Sequence, residues 1–137
     1  MASNTVLRWI PESKRFISTD STGHSVVMST SKENIGMKPS ELILSALAGC
    51  TSVDVVDILA KKRTPLSHLE VHVSAEQDAN PPWTFRKIFI KFIVKGEDLT
   101  EKNVQQAIEL SEEKYCSVAA TLRGKAEIIT SYEIIKD

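Results

Sequence analysis

A long apolar segment decides the fold: residues 39–63 are PSELILSALAGCTSVDVVDILAKKR. Pro39 suits the first position of a helix, where its missing N–H costs nothing, and Glu41 in the first turn suits the helix dipole. Residues 61–63 place three basic side chains in the last turn, and Pro65 stops the helix. Apolar side chains lie on nearly every side, which predicts a buried central helix covered by a sheet or by a partner chain.

Three short strands are predicted before this helix, over residues 5–11, 14–19 and 24–30. Turn-forming residues separate them at positions 11–13 and 21–23. Closely spaced strands joined by tight turns favour an antiparallel meander.

The second half of the chain alternates strands and helices. Residues 68–76 and 83–95 alternate apolar and polar side chains, with an acidic polar face on the first strand and a basic one on the second. Thr100 is a suitable cap for a second helix, residues 117–122 form a shorter one, and residues 126–136 form a closing strand. The order predicts an α+β fold with an antiparallel sheet and a central helix.

Length and charge limit the classes of function. The chain has 137 residues, which predicts a single domain over residues 1–137. Lys and Arg number 17 and Asp and Glu 18, so a net charge of −1 gives no general electrostatic reason to bind nucleic acid or an anionic membrane. Asp54 and Asp57 within the apolar segment are costly in lipid, and residues 1–6 lack a secretory signal, so we expect a cytoplasmic protein.

Two cysteines carry most of the functional argument, because a reducing compartment makes a structural disulfide improbable. Cys50 and Cys116 are either buried packing residues or reactive thiols. Gly49 costs the central helix about 1 kcal/mol relative to Ala and leaves room for a backbone or a substrate near Cys50. Cys116 opens the short helix at Ser117, where a helix N-terminus favours thiolate.

The helical wheel places a carboxylate and an apolar wall on the face of Cys50. Asp54 lies one turn away, so an unpaired carboxylate there opposes thiolate formation and a functional Cys50 needs a compensating cation. The same wheel predicts an apolar wall near the sulfur, formed by Ile43, Ala46, Leu47 and Val53.

Other candidate residues are weaker. His68, Glu70 and His72 share one face of a strand, which is compatible with a metal site, but a solvated strand face is favoured because nothing else in the sequence supplies ligands. The sequence contains no glycine-rich phosphate loop, CxxC, GxSxG or HExxH motif.

Two segments resemble the OsmC/Ohr family, the osmotically inducible protein C and organic hydroperoxide resistance proteins. The first contains residues 39–42, 46–51, 54–56 and 58–59, and the second is residues 115–118. The resemblance implies the OsmC-like fold, with antiparallel sheets packed around a buried central helix in an intertwined homodimer. It implies a thiol peroxidase that reduces organic hydroperoxides, without a metal or an organic cofactor.

The resemblance also implies roles for individual residues. Cys50 attacks the peroxide, and Cys116 resolves the sulfenic acid into a disulfide that a dithiol reductant reopens. The better-characterised branches have a catalytic Glu directly after the helix-opening Pro, where this chain has Ser40, so Glu41 is the candidate acid. Nine residues separate Glu41 from Cys50, about 14 Å along a helix, so we expect the partner subunit to supply this Glu.

Those branches also place an activating Arg in a turn of the amino-terminal meander, where this chain has residues 22–24, Thr-Gly-His. Arg8, Arg15 and His24 are the candidate substitutes, and the departure indicates a different OsmC-like branch. Two functions therefore stay open: a thiol-dependent organic hydroperoxide reductase acting in oxidative stress defence, and a non-catalytic OsmC-like dimer that binds a ligand or senses redox state.

Overall fold

The computed structural model describes residues 3–136 and divides the chain into two compact units, Met1–Ile43 and Leu44–Asp137. Each unit has its own three-stranded sheet. Mixed helices and strands in the predicted order confirm the α+β class. The single domain over residues 1–137 stays a prediction.

The first unit contains the predicted meander. Strands β1 (Val6–Ile10), β2 (Arg15–Thr19) and β3 (Ser25–Met28) pair antiparallel in the order β1-β2-β3. Gly23 allows the second turn because its φ of 84° lies in the left-handed region that favours glycine.

This first unit buries very little of itself. Ser29 is the only buried residue among residues 3–43. The Trp9 ring stacks on Phe16 with 6.5 Å between ring centroids, yet Trp9 is 59% exposed. Leu7 and Val27, which lie on opposite faces of the sheet by the strand register, are exposed as well. The sheet therefore presents apolar side chains on both faces.

The central helix α1 (Pro39–Lys61) begins at the predicted proline. It ends just before Arg63, whose φ of 63° turns the chain so that the N–H of Thr64 bonds to the carbonyl of Leu59. The residues it buries form one stripe at four-residue spacing: Leu47, Thr51, Val55 and Leu59. Val53 is 71% exposed, so a single chain does not provide the predicted burial on every side.

In the described part of the chain, α1 is the one helix whose length and composition would allow it to cross a membrane. The central helix of a water-soluble protein passes the same test, since the test counts only length and apolar content. Asp54 and Asp57 place two carboxylates within its apolar stretch.

The second sheet corrects one expectation. Strands β4 (His68–Gln77) and β5 (Phe85–Lys95) pair antiparallel as predicted, but β6 (Glu127–Ile134) pairs parallel to β5. The long connection explains this, because a parallel pair needs a crossover that returns the chain to the same end of the sheet. The crossover contains α2 (Glu101–Leu110), a π-helical segment (Ser111–Tyr115) and α3 (Ser117–Leu122).

The hydrophobic core of the second unit lies between the sheet and the helices. Strand β5 supplies its centre, where Phe92 and three neighbours on the same face are almost completely inaccessible to solvent. The buried stripe of α1 and the buried face of α2 pack with them; the full set is Leu47, Val55, Leu59, Ile88, Ile90, Phe92, Val94, Val104, Ala107, Ile108, Cys116, Ala119 and Ala126. Cys116 thus belongs to the core itself, with 2% of its surface exposed.

Candidate active site

The structure brings the two cysteines together. Cys50 is half-buried on α1, Cys116 is buried in the crossover, and both are free thiols. The Cys50 side chain lies near enough to Cys116 to raise the pKa of the Cys116 thiol. Thr51, the residue after Cys50, contacts the Cys116 sulfur, so the fold brings the two cysteine segments together. That the two thiols lie within disulfide reach stays a prediction.

A π-helical turn places Cys116. The N–H of Cys116 donates to the carbonyl of Ser111 at 2.7 Å, a five-residue span that widens the end of α2. Cys116 then takes an extended conformation and caps α3, with its Sγ accepting from the N–H of Ala119 at 3.3 Å. The sulfur thus occupies the position that a serine or threonine oxygen usually fills at a helix start.

A buried polar cluster connects α1 to this turn. The Thr51 hydroxyl donates to Cys116 Sγ at 3.5 Å. The Ser111 hydroxyl donates to Asp54 Oδ2 at 2.7 Å and lies 3.4 Å from the carbonyl oxygen of Thr51. Ser111 therefore satisfies the Asp54 carboxylate, whose pairing the helical wheel left open.

Burial raises the pKa of the Cys116 thiol, and the neighbouring Cys50 side chain raises this pKa further. The hydrogen bonds from the N–H of Ala119 and the hydroxyl of Thr51 lower the same pKa, but not enough to offset burial. A raised pKa leaves Cys116 with less thiolate than an ordinary exposed cysteine has. Because the thiolate is the form that attacks a peroxide, buried Cys116 is poorly suited to react with a peroxide in solvent.

A groove runs along α1 on the side of Cys50. Its volume is about 420 Å³ and it begins at Asp54, one helical turn after the cysteine. Its apolar wall combines Ile58 of α1 with Leu110 and Tyr115 of the crossover. An ion pair between Lys61 and Asp57, 2.9 Å apart, lies towards the end of the helix.

The predicted apolar wall is wrong in one member. Leu47 packs in the core and is 1% exposed, so it cannot contact a molecule at the surface. Ile43, Ala46 and Val53 are exposed. The helical wheel could not supply Leu110 and Tyr115, because they come from another element.

Comparison with known proteins identifies the family. The OsmC-like protein family matches residues 31–131 of the chain. This chain belongs to the OsmC family. It is 36% identical over 129 residues to Protein YhfA of Escherichia coli strain K12, covering 94% of this chain and 96% of YhfA.

Solved structures share the fold. A hypothetical protein from Aquifex aeolicus VF5 is 28% identical, with a TM-score of 0.88 over 100% of this chain and 98% of that one. The organic hydroperoxide resistance protein OhrB of Bacillus subtilis is 16% identical, with a TM-score of 0.64 over 97% of this chain and 98% of OhrB. The second likeness is one of fold alone, and it confirms the OsmC-like fold expected from the sequence.

The match to the OsmC family contains Glu41, Cys50 and Cys116 but begins after the meander. Glu41 is exposed in the first turn of α1, where its carboxylate lies 3.7 Å from the Lys38 ammonium. Within the first unit, Arg8 and Arg15 lie on the same face of the sheet by its register. Whether any of these residues acts on Cys50 stays a prediction.

Two of the three histidines, His24 and His72, have local hydrogen-bond partners. His24 accepts or donates a 2.8 Å bond with the Thr22 hydroxyl, and His72 bonds to Glu70 on the exposed face of β4. The described residues contain no group of three or more His, Cys, Asp or Glu that could hold a metal ion. His72 and Glu70 thus form a hydrogen-bonded pair on the exposed face of β4.

Sequence reasoning missed Thr51 and Ser111. Thr51 lies beside Cys50 in the sequence, but its role depends on Cys116, which only the fold brings near. Ser111 gave no signal because it follows the predicted helix with no motif around it. The one available clue was the helix break before Cys116, which marks a turn of special geometry.

Proposed function

We propose that this OsmC family member is a thiol-dependent peroxidase that reduces organic hydroperoxides. The observation that carries the proposal is the nearness of half-buried Cys50 to buried Cys116. Thr51, the residue after Cys50, donates to the Cys116 sulfur at 3.5 Å, and the Cys50 side chain raises the pKa of the Cys116 thiol. Neighbouring thiols of this kind alternate between a dithiol and a disulfide when their Cα atoms lie within about 7 Å of each other.

The chemistry divides between the two sulfurs. The Cys50 thiolate attacks the O–O bond, takes the terminal oxygen as a sulfenic acid, and releases the alcohol. Cys116 then attacks the Cys50 sulfur, forming the S–S bond while hydroxide leaves and becomes water. A dithiol reductant supplies two electrons to restore both thiols. No step needs a metal or an organic cofactor.

We propose a homodimer as the working form. In one chain, α1 leaves Val53 and Val56 exposed on the face opposite its buried stripe. Gly49 lies on that same face, and a side chain added there would meet nothing within 4 Å. Glycine destabilises the interior of a helix, and nothing in the described part of the chain crowds Gly49. The close approach of a partner subunit's backbone would explain why the helix has a glycine at this position.

In this dimer, Glu41 of the partner subunit is the proposed acid of the site. Its place in the first turn of α1 leaves it exposed and paired only with an equally exposed lysine, Lys38. The matching cation is one of Arg8, Arg15 and His24, which all belong to the exposed meander. Free thiols and a dithiol reductant fit a cytoplasmic protein without nucleic acid or membrane partners.

A second candidate function is a redox-sensing or ligand-binding dimer whose cysteines oxidise slowly. The turn at residues 22–24 favours it, because a Thr–His pair occupies the place where an activating Arg is expected. This protein would form the same disulfide but would not turn over peroxide.

A steady-state assay with an organic hydroperoxide and dithiothreitol separates the two functions. We expect turnover by the wild-type protein and none by Cys50→Ser. One equivalent of hydroperoxide should consume both thiols and leave the chain lighter by two hydrogens. Disulfide formation without turnover supports the sensor. Persistent free thiols, or crosslinks between chains only, would contradict both the proposed mechanism and the intramolecular pair.

A further inference from the structure

Two side chains of α1, Thr51 and Asp54, engage the segment that carries Cys116. We propose that Thr51 is a catalytic residue of the disulfide-forming step and that Asp54, acting through Ser111, is a positioning residue for the same step. The inference rests on the proposed function, since it assigns the residues that let the buried thiol resolve a Cys50 sulfenic acid.

Thr51 contacts the reacting atom directly. Its hydroxyl donates to Cys116 Sγ at 3.5 Å from a side chain that is itself fully buried. The N–H of Ala119 reaches the same sulfur at 3.3 Å. Two donors aimed at one buried sulfur favour its charged form, because hydrogen bonds to an ionised group are stronger than those to a neutral one.

That preference matters because the environment otherwise opposes ionisation. Burial raises the pKa of Cys116, and Cys50 is the titratable group on α1 that raises it further. Asp54 is the carboxyl group at this end of the cluster, and Ser111 lies between it and Cys116. Without the two donors, the buried thiol would stay protonated and would attack a sulfenic acid slowly.

Asp54 fixes the turn that presents Cys116. Its carboxylate accepts from the Ser111 hydroxyl at 2.7 Å, and the carbonyl of the same serine accepts from the N–H of Cys116 at 2.7 Å. The connection runs from α1, which carries Cys50, to the backbone of Cys116. It therefore holds the two sulfurs in a fixed relation while the S–S bond forms.

The step balances with these groups. The Cys116 thiolate attacks the sulfenic sulfur of Cys50, the S–S bond forms and the S–O bond breaks. The thiol proton of Cys116 ends on the departing hydroxide, which leaves as water. Cys50 sulfur is reduced and Cys116 sulfur is oxidised, so no further reagent is required.

The first test measures the titration of the Cys116 thiol in the Cys50→Ser variant, where Cys116 is the one cysteine left. The ultraviolet absorbance of the thiolate is followed as a function of pH. Thr51→Val keeps the shape of the side chain and removes the donor, so the titration midpoint should rise by about one pH unit. Thr51→Ser keeps the hydroxyl and should titrate as the parent does. Equal midpoints for the valine and serine variants would overturn the role of Thr51.

The second test uses both cysteines and a single equivalent of cumene hydroperoxide. Dimedone trapping measures sulfenic acid formation and mass spectrometry measures disulfide formation. Thr51→Val should slow disulfide formation about tenfold relative to sulfenic acid formation. Thr51→Ser should restore the rate of disulfide formation. Asp54→Asn should slow the second step at every pH without moving the midpoint of the Cys116 titration.

The two failures are distinguishable. If no sulfenic acid or disulfide forms in the wild-type protein, the peroxidase proposal fails, while the thiolate titration still decides whether Thr51 acts on Cys116. If the wild-type protein forms its disulfide but Thr51→Val and Asp54→Asn form it equally fast, the peroxidase proposal stands and this inference is wrong.

Discussion

The Ser111 hydroxyl donates a 2.7 Å hydrogen bond to the carboxylate of Asp54, one turn of α1 after Cys50. This contact gives the acidic residue one turn after Cys50 a structural partner. Asp54 is held by a neutral donor and serves to connect two helical elements, so no cation is needed to satisfy it.

Breaking this contact should cost stability. Ser111→Ala leaves a half-buried carboxylate oxygen without its donor, which typically costs about 1–3 kcal/mol. We expect a lower free energy of unfolding by chemical denaturation. Asp57→Asn is the matched control, because its exposed ion pair with Lys61 contributes little. Equal loss in both variants would show that the Ser111 contact is no stronger than a surface pair.

The sequence predicts local structure well and contacts between distant residues poorly. Pro39 and Thr100 marked the starts of two helices because capping and proline geometry act within one turn. The parallel pairing of β6 was missed, since alternation along a strand does not reveal its direction beside a neighbour. Ser111 was missed because a π-helical turn 57 positions after Asp54 brings it into place.

A charged residue on the exposed face of α1 should prevent dimer formation. Val53 is 71% exposed in a single chain, and Val53→Asp would bury a carboxylate if a second copy covers this face. Light scattering should give the dimer mass for the wild-type protein and a monomer mass, or an unfolded chain, for the variant. Lys102→Asp places a carboxylate on an exposed position of α2 and should leave the mass unchanged.

A folded wild-type monomer at low protein concentration would contradict the dimer. So would a dimer that survives Val53→Asp with unchanged affinity, because an interface over this face cannot accept a charge without loss.

Glu112 should make stability depend on pH. Burial raises the pKa of its carboxyl group, despite a hydrogen bond from the Thr130 hydroxyl and the nearby Arg123, which both lower it. A raised pKa in the folded state stabilises the protein fully below the unfolded value of 4.5, and this stabilisation is lost as pH rises through the folded pKa.

Glu112→Gln removes the ionisable carboxyl group, so the variant does not lose stability as pH rises. The variant keeps a glutamine oxygen that can accept the hydrogen bond from the Thr130 hydroxyl. Its free energy of unfolding relative to wild type should therefore rise from acidic to neutral pH, by less than about 1 kcal/mol because solvent screens a half-exposed group. Urea denaturation at several pH values measures the difference. The exposed neighbour gives the control, since Glu113→Gln should show no such trend. If the difference in unfolding free energy from wild type did not change with pH for either variant, burial would not raise the pKa of Glu112 enough to affect stability.

The groove that begins at Asp54, one helical turn after Cys50, predicts which peroxides react fastest. Leu110 and Tyr115 are partly exposed apolar side chains, and with Ile58 they line a volume large enough for an alkyl or aryl group. Hydrogen peroxide has no apolar group to bury against this wall, so it gains no binding free energy from it. An organic hydroperoxide gains about 0.8 kcal/mol of binding free energy for each methylene that it removes from water.

Cumene hydroperoxide should therefore oxidise Cys50 at least about tenfold faster than hydrogen peroxide, since burying even two carbon atoms is worth that factor. Competition kinetics in the Cys116→Ser variant isolate this first step. Leu110→Ser makes the wall polar, so it should slow the reaction with cumene hydroperoxide and leave the rate with hydrogen peroxide nearly unchanged. Equal slowing of both peroxides would instead indicate damage to Cys50 itself. Equal or faster consumption of hydrogen peroxide by Cys116→Ser would show that the groove does not select the substrate.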